Sequence, residues 1–148
     1  MRKINIEKLS QYAIILIALS ALFVSIWQIN ISHKHNRLSV EPYLDYHLVQ
    51  SDSTLTVNFS NQGFGPAIVK KITYFYKNKT YNSLEDFLND SGEISNRLGS
   101  FQYGANTIIA SGERKLLVKL KGTKIRGVRV NIIYETVYKD QKEFNFKF

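Results

Sequence analysis

Seven cations and no carboxylate occupy the sixteen residues from Arg114 to Arg129: Arg114, Lys115, Lys119, Lys121, Lys124, Arg126 and Arg129. The pattern around them is that of strands. Leu116, Val118 and Leu120 alternate with Leu117, Lys119 and Lys121, and Val128, Val130, Ile132 and Tyr134 alternate with Arg129, Asn131 and Ile133. The segment reads as a long antiparallel hairpin turned by Gly122-Thr123-Lys124-Ile125-Arg126-Gly127. Alternation then puts Lys119, Lys121 and Arg129 on the outward face, with Lys124 and Arg126 at the loop tip. Lys119, Lys121, Lys124, Arg126 and Arg129 are therefore a candidate anion-binding set, suited to phosphates of a lipid headgroup or a nucleotide. Solvation, and the protection of an edge strand by lysine, account for the same residues.

Other chemistry is sparse. Catalysis needs a nucleophile with a base, paired carboxylates or a metal set, and the chain has only three histidines, His33, His35 and His47, and no cysteine. No G-x-S-x-G, H-E-x-x-H or Walker-type loop occurs. No catalytic, cofactor-binding or metal residue is assigned, and the protein is not expected to be an enzyme. Gly63-Phe64-Gly65 is not a phosphate loop, because no helix start and no Lys-Ser/Thr pair follow it. The acids Glu85, Asp86, Asp90 and Glu93 fit a first helical turn and its dipole rather than a cation loop.

These residues hang from one stretch. Leu9 to Ser32 carries no charged side chain, and its apolar part, Tyr12 to Ile31, is about 20 residues, the length that crosses a hydrocarbon core at the helical rise. We read residues 12–32 as a transmembrane helix, 1–11 as a tail, 33–42 as a juxtamembrane linker and 43–148 as one β-domain. Arg2, Lys3 and Lys8 resemble the start of a secretory signal, but the apolar run continues through the one small-residue pair, Ala18 and Ser20, which argues for an uncleaved anchor. Tyr12 and Trp27 are about 22 Å apart along such a helix and suit the two interfaces. Counting cations beside the span gives three before it and two after it, a narrow lean toward a cytoplasmic N-terminus and an exported domain in the inner membrane. Gln11, Ile14, Ala18, Ala21, Ser25 and Gln28 recur at spacings of three and four, so Ala18, Ala21, Ser25 and Gln28 are a candidate seam for homo-oligomers; small residues falling by chance in an apolar helix give the same pattern. The collar His33-Lys34-His35-Asn36-Arg37 ends the span.

The chain's 148 residues carry a formal charge of +8, but five basic and one acidic residue precede Leu38, leaving 15 − 11 = +4 for the rest. That is an ordinary surface, and no specific nucleic-acid binding is expected; the bilayer and an anionic ligand or a protein are the expected partners. Along the domain, Pro42 stops the helix from running on. Tyr43 to Val49 and Thr54 to Phe59 read as strands, the second with Leu55, Val57 and Phe59 on one face. Asn61 to Ala67 reads as an inter-strand crossover whose two glycines permit positive φ, with Phe64 either tucked under it or a binding tip. Ala67 to Lys77 reads as a central strand covered on both sides, Ile68, Ile72 and Tyr74 facing one way and Val69 and Phe75 the other, and Asn78-Lys79 as a two-residue turn. Ser83 to Asp86 opens a short helix from Leu84 to about Asn89. A loop with a short strand near Phe101 to Tyr103 follows, and Phe144, Phe146 and Phe148 form one face of a final strand.

LTVNFSNQGFGPAIVKKITYFYKNK resembles the N-x-G-x-G-P-A turn between early strands of immunoglobulin-like bacterial adhesion and CARDB-type domains. One span followed by HNRLSVEPYL and NQGFGPAIVKKI is similar to a widespread group of uncharacterised single-pass bacterial membrane proteins. The resemblance implies a fold, mainly β with an immunoglobulin-like antiparallel sandwich after one transmembrane helix, and an address, but no activity. Two functions fit: a membrane-anchored binding module, or a sensor-effector, an architecture that looks like small anti-phage membrane effectors, whose basic domain binds an anionic ligand. Replacing Lys119, Lys121, Lys124 and Arg126 with Ser is expected to leave folding intact and weaken binding to anionic vesicles; unchanged binding would assign those charges to solubility.

Overall fold

The computed structural model describes residues 6–122 and 125–148. The chain divides into two compact units, Met1–Leu38 and Ser39–Phe148. The first is built from one helix, α1 (Ile6–Ser39), and among the described residues this is the one helix long and apolar enough to cross a membrane. It does not end at the collar. The expected linker is helical through Ser39, because nothing in His33–Ser39 breaks a helix and Arg37 sits in the last turn, where a cation meets the negative end of the dipole. The stop comes at Val40-Glu41, where the following Pro42 disfavours helical backbone.

The second unit is mainly β. Its elements are β1 (Leu44–Ser51), β2 (Thr54–Asn61), β3 (Ala67–Tyr76), β4 (Lys79–Tyr81), a helix α2 (Leu84–Asp90), β5 (Arg97–Ser100), β6 (Thr107–Ile109), β7 (Arg114–Lys121), β8 (Arg129–Glu135) and β9 (Gln141–Lys147). They form two antiparallel sheets, one ordered β1-β2-β7-β5 and the other β4-β3-β8-β9, with β6 pairing the start of β3. The chain passes between sheets at β2→β3, as the Asn61–Ala67 segment led us to expect, then at β4→β5, β5→β6 and β6→β7, and again at β7→β8. The expected long hairpin of β7 and β8 is therefore corrected: β7 pairs with β2 and β5, β8 with β3 and β9. Adjacent alternating segments look alike whether they pair with each other or with distant strands. Here the connection seats Ile125 in the core, 7% exposed, which carries the chain across to the other sheet.

Both sheets feed one buried cluster. Val57, Phe59, Val118 and Leu120 come from one, and Val69, Tyr74, Val130, Ile132 and Phe146 from the other. Each such side chain removed from water stabilises by about 1.5–3 kcal/mol. Ser83 caps α2 by accepting from the Glu85 N–H, and Phe87 of that helix stacks on Tyr74 with centroids 6.0 Å apart. The three alternating phenylalanines are docked as expected, Phe146 and Phe148 buried and Phe144 half-buried. On β3 a bulge between Val69 and Lys71 re-phases the strand, so Ala67 and Val69, then Ile72 and Tyr74, face the core, and Phe75 is left 36% exposed instead of covered. The turn after β3 is Lys77-Asn78, one residue earlier than expected, with φ of 45° and 63°. The strand expected at Phe101–Tyr103 lies at β5 instead.

The crossover after β2 is held by a buried amide. Asn61, fully enclosed, accepts at Oδ1 from the N–H groups of Tyr43 and Gly63 at 3.1 and 3.0 Å and donates from Nδ2 to the carbonyls of Gly65 and Ile109 at 2.7 and 3.1 Å. The two glycines serve close approach and not the expected positive φ: a Cβ at Gly63 would lie 2.3 Å from the Glu41 carbonyl oxygen, and one at Gly65 1.7 Å from that of Val40. Asn61→Ala should cost about 3–5 kcal/mol by stranding these four backbone groups. Gly65→Ala should also destabilise strongly, whereas Gly104→Ala, with open space around it, should be close to neutral. Urea denaturation of the detergent-solubilised full chain, followed by circular dichroism, measures all three.

Candidate functional site

The residues of the expected anion-binding set are dispersed by the two-sheet topology. Lys119 and Lys121 are exposed on β7, in the first sheet. That strand lies between β2 and β5, so protection of a sheet edge does not explain them. Arg126 reaches Gln50 Oε1 of β1 at 3.4 Å. Arg129 is exposed on β8 of the other sheet, and Lys124 lies outside the described residues.

Arg129 instead joins cations that are distant in sequence. Register places Thr80, Phe75, Arg129 and Lys147 in one row across β4, β3, β8 and β9, each directly opposite the next. Directly paired residues share a face, and all four are exposed on the outside of the sheet. The Lys77-Asn78 turn closes one end of this row, and the result is an open cleft of about 320 Å³ lined by Phe75, Lys77, Lys79, Thr80, Arg129 and Lys147, with Gly127 at its margin. Gly127 has φ +84°, and a Cβ there would come within 3.6 Å of Lys147 Cε, so the glycine leaves room for that lysine's stem. Sequence reading missed this cluster because its members come from residues 75–80, 129 and 147; only the strand register brings them together.

One of the lining cations is already balanced. Lys79 Nζ bonds both carboxylate oxygens of Asp90 at 2.8 and 3.0 Å, and the Tyr81 hydroxyl donates to Asp90 Oδ2 at 2.5 Å. Lys79 and Tyr81 hold the Asp90 carboxyl below the usual carboxylate range, and Asp90 in turn pushes the Tyr81 hydroxyl up to about 12. Lys77 lies over the Tyr76 ring, 5.1 Å from its centroid. Arg129 and Lys147 make no ion pair among the described residues. Of the acids near α2, Asp90 is engaged as above and Glu93 accepts from Asn96 Nδ2 at 2.8 Å; no group of three or more potential metal ligands occurs among the described residues. His33 and His35, two positions apart on α1, do not face each other. His47, half-buried on the edge strand β1, lies 3.1 Å from the Ser60 hydroxyl.

Of the seam residues on α1, Ser25 donates its hydroxyl to the Ala21 carbonyl at 2.8 Å, as Ser20 does to Leu16, so these hydroxyls are satisfied within the helix. Ala18, Ala21, Ser25 and Gln28 are all exposed. Phe64 is not tucked under its loop; it is 83% exposed.

The carboxyls of Asp90 and of Glu113, the latter lowered by Lys115 and then by the Ala110 N–H, favour the folded state in their charged form. Their stabilisation is complete above the unfolded carboxylate value of about 4 and is lost as pH falls through the lower folded values. Burial pushes the Tyr74 and Tyr103 hydroxyls up, so stability should also fall as pH rises above about 10, where unfolded tyrosine ionises. Thermal melts against pH should show a plateau between these limits, with a shallower acid limb in Asp90→Asn. No protein-family model matches the chain, and no curated protein matches it, so the reading of the cleft rests on its own chemistry.

Proposed function

We propose that the protein is a non-enzymatic, single-pass bacterial membrane protein that presents an immunoglobulin-like β-sandwich as a binding module. The observation that carries this is α1. Its large apolar side chains between Ile14 and Ile31 are 54–69% exposed, over a surface far larger than the apolar patches that monomeric soluble proteins present to water. A hydrocarbon core would cover it. The second unit instead gathers a buried core of its own from both sheets, with apolar residues such as Phe64 and Phe101 left exposed only in its loops and edges. Two antiparallel sheets that share a core, with the chain crossing between them five times, first at β2→β3 and last at β7→β8, support the sandwich reading. The narrow excess of cations before the span favours a cytoplasmic N-terminus and an exported domain.

A second reading, a sensor-effector whose domain binds an anionic ligand, is favoured by the cleft of Lys77, Arg129 and Lys147. The two readings differ in sidedness if the ligand is a cytoplasmic nucleotide. Carbonate-washed membranes should retain the full chain, and a reporter active only in the cytoplasm, fused after Phe148, should be silent. Recovery of the protein in the aqueous fraction without detergent would overturn the membrane reading, and an active reporter would reverse its sidedness.

A further inference from the structure

We infer that the cleft across the outer face of the β4-β3-β8-β9 sheet is a binding site for a phosphate group, with Arg129 and Lys147 as its principal ligands and Lys77 closing it from the turn. The inference rests on the reading of the β-domain as a ligand-binding unit, common to both functions proposed above, and names the chemistry of what is bound. Three features converge.

Arg129 and Lys147 are directly opposed on neighbouring strands. Like charges in that position destabilise a sheet unless something between them compensates. Nearby carboxylates are engaged elsewhere: Asp90 with Lys79, Glu135 with Lys70 at 3.0 Å, and Glu143 with the Asn131 amide. Glu143 lies four residues from Lys147 along β9, beyond the Asn131–Asn145 pair. The cleft therefore carries two cations, Arg129 and Lys147, that pair with no carboxylate among the described residues, beside Lys77, which feels Asp90 only through space. An anion lying between Arg129 and Lys147 relieves their repulsion, and the planar guanidinium can give it two parallel hydrogen bonds.

The cleft also has an apolar floor. Phe75 sits beside Arg129 in the row, half turned to solvent, and offers its ring to the carbon part of a phosphate ester. Its volume of about 320 Å³ is at the lower end of small-molecule sites.

The site's position matters as well. Within the domain, Val40, Glu41 and Tyr43 meet Gly63 and Gly65 at the end where β3 begins. Phe75 and the Lys77-Asn78 turn are at the other end of that ten-residue strand, about 30 Å away at the strand rise.

The same phosphate chemistry is offered by soluble esters and by lipid headgroups, and two arms separate them. The full chain in phosphatidylcholine nanodiscs is titrated calorimetrically with inorganic pyrophosphate and with ATP; in parallel, it is tested for tethering of free vesicles of phosphatidylcholine with and without phosphatidylglycerol. The expected result is binding in at least one arm that weakens with added salt and falls about tenfold or more in the Arg129→Gln/Lys147→Gln double variant. Lys119→Gln/Lys121→Gln, on the other sheet, should bind as the unaltered chain does, which replaces the expectation drawn from the contiguous basic run that these lysines hold anionic vesicles. Both pairs are exposed, and circular dichroism checks that the fold is kept; Lys77→Gln, in the turn, is a milder variant expected to weaken the same binding. Absence of binding in both arms overturns the inference, as does a loss in the Lys119/Lys121 variant equal to that in the Arg129/Lys147 variant. Either failure leaves the membrane reading standing, since carbonate extraction tests that separately.

Discussion

The Asn61 carboxamide is where the two sheets are tied together. It sits at the end of β2, where the chain must leave one sheet and start the other, and it satisfies four backbone groups from three separate segments. Without it, the start of β1, the crossover and the end of β6 would each bury a polar group with no partner. A buried amide fully bonded in this way also selects one arrangement, since a slip of any of the three segments would strand a donor or an acceptor. The glycines complete the constraint. Gly63 and Gly65 let the crossover backbone lie against Val40, Glu41 and Tyr43 at distances no side chain would permit. The path from helix to first strand and the path from sheet to sheet are thus fitted to one another.

Much of this was visible in the residues. The period-two runs located β2, β7, β8 and β9, Ser83 marked the start of α2, Pro42 marked the end of α1, and the Asn-x-Gly-x-Gly-Pro-Ala segment marked a crossover. What could not be read was long-range pairing. β7 and β8 are adjacent and both alternate, and nothing local to them records that their partners are β2 and β3. Bulges were equally hidden: the re-phasing at Val69–Lys71 turned Phe75 from an expected covered residue into the floor of a cleft. The candidate site inherited these gaps. The basic run from Arg114 to Arg129 is continuous in sequence but is split between two sheets, so among the described residues only Arg129 of the expected set reaches the cleft.

The same topology explains why the charges gather where they do. Lys77, Arg129 and Lys147 come from a turn, the first residue of β8 and the last of β9, three places that lie at one end of a single sheet. Strand ends and turns are the positions where long charged side chains cost the core nothing, so both solubility and ligand capture draw on them. The pairing of Lys79 with Asp90 balances the cation nearest α2, Lys77 lies over Tyr76 at the turn, and Arg129 and Lys147 remain side by side in the open row.

The pairing of β2 with β7 joins Leu55 to Leu120, positions 65 residues apart, so the sheet that begins the domain is completed only after most of the chain is available. Such non-local pairings slow the search for the native state, placing domains of this kind in the range of milliseconds to seconds, whereas a helix forms in about a microsecond. During biosynthesis α1 would therefore be helical long before β2 finds its neighbour. In that interval the apolar side chains and unpaired backbone of β1, β2 and β3 are open to solvent, the condition under which strands pair wrongly.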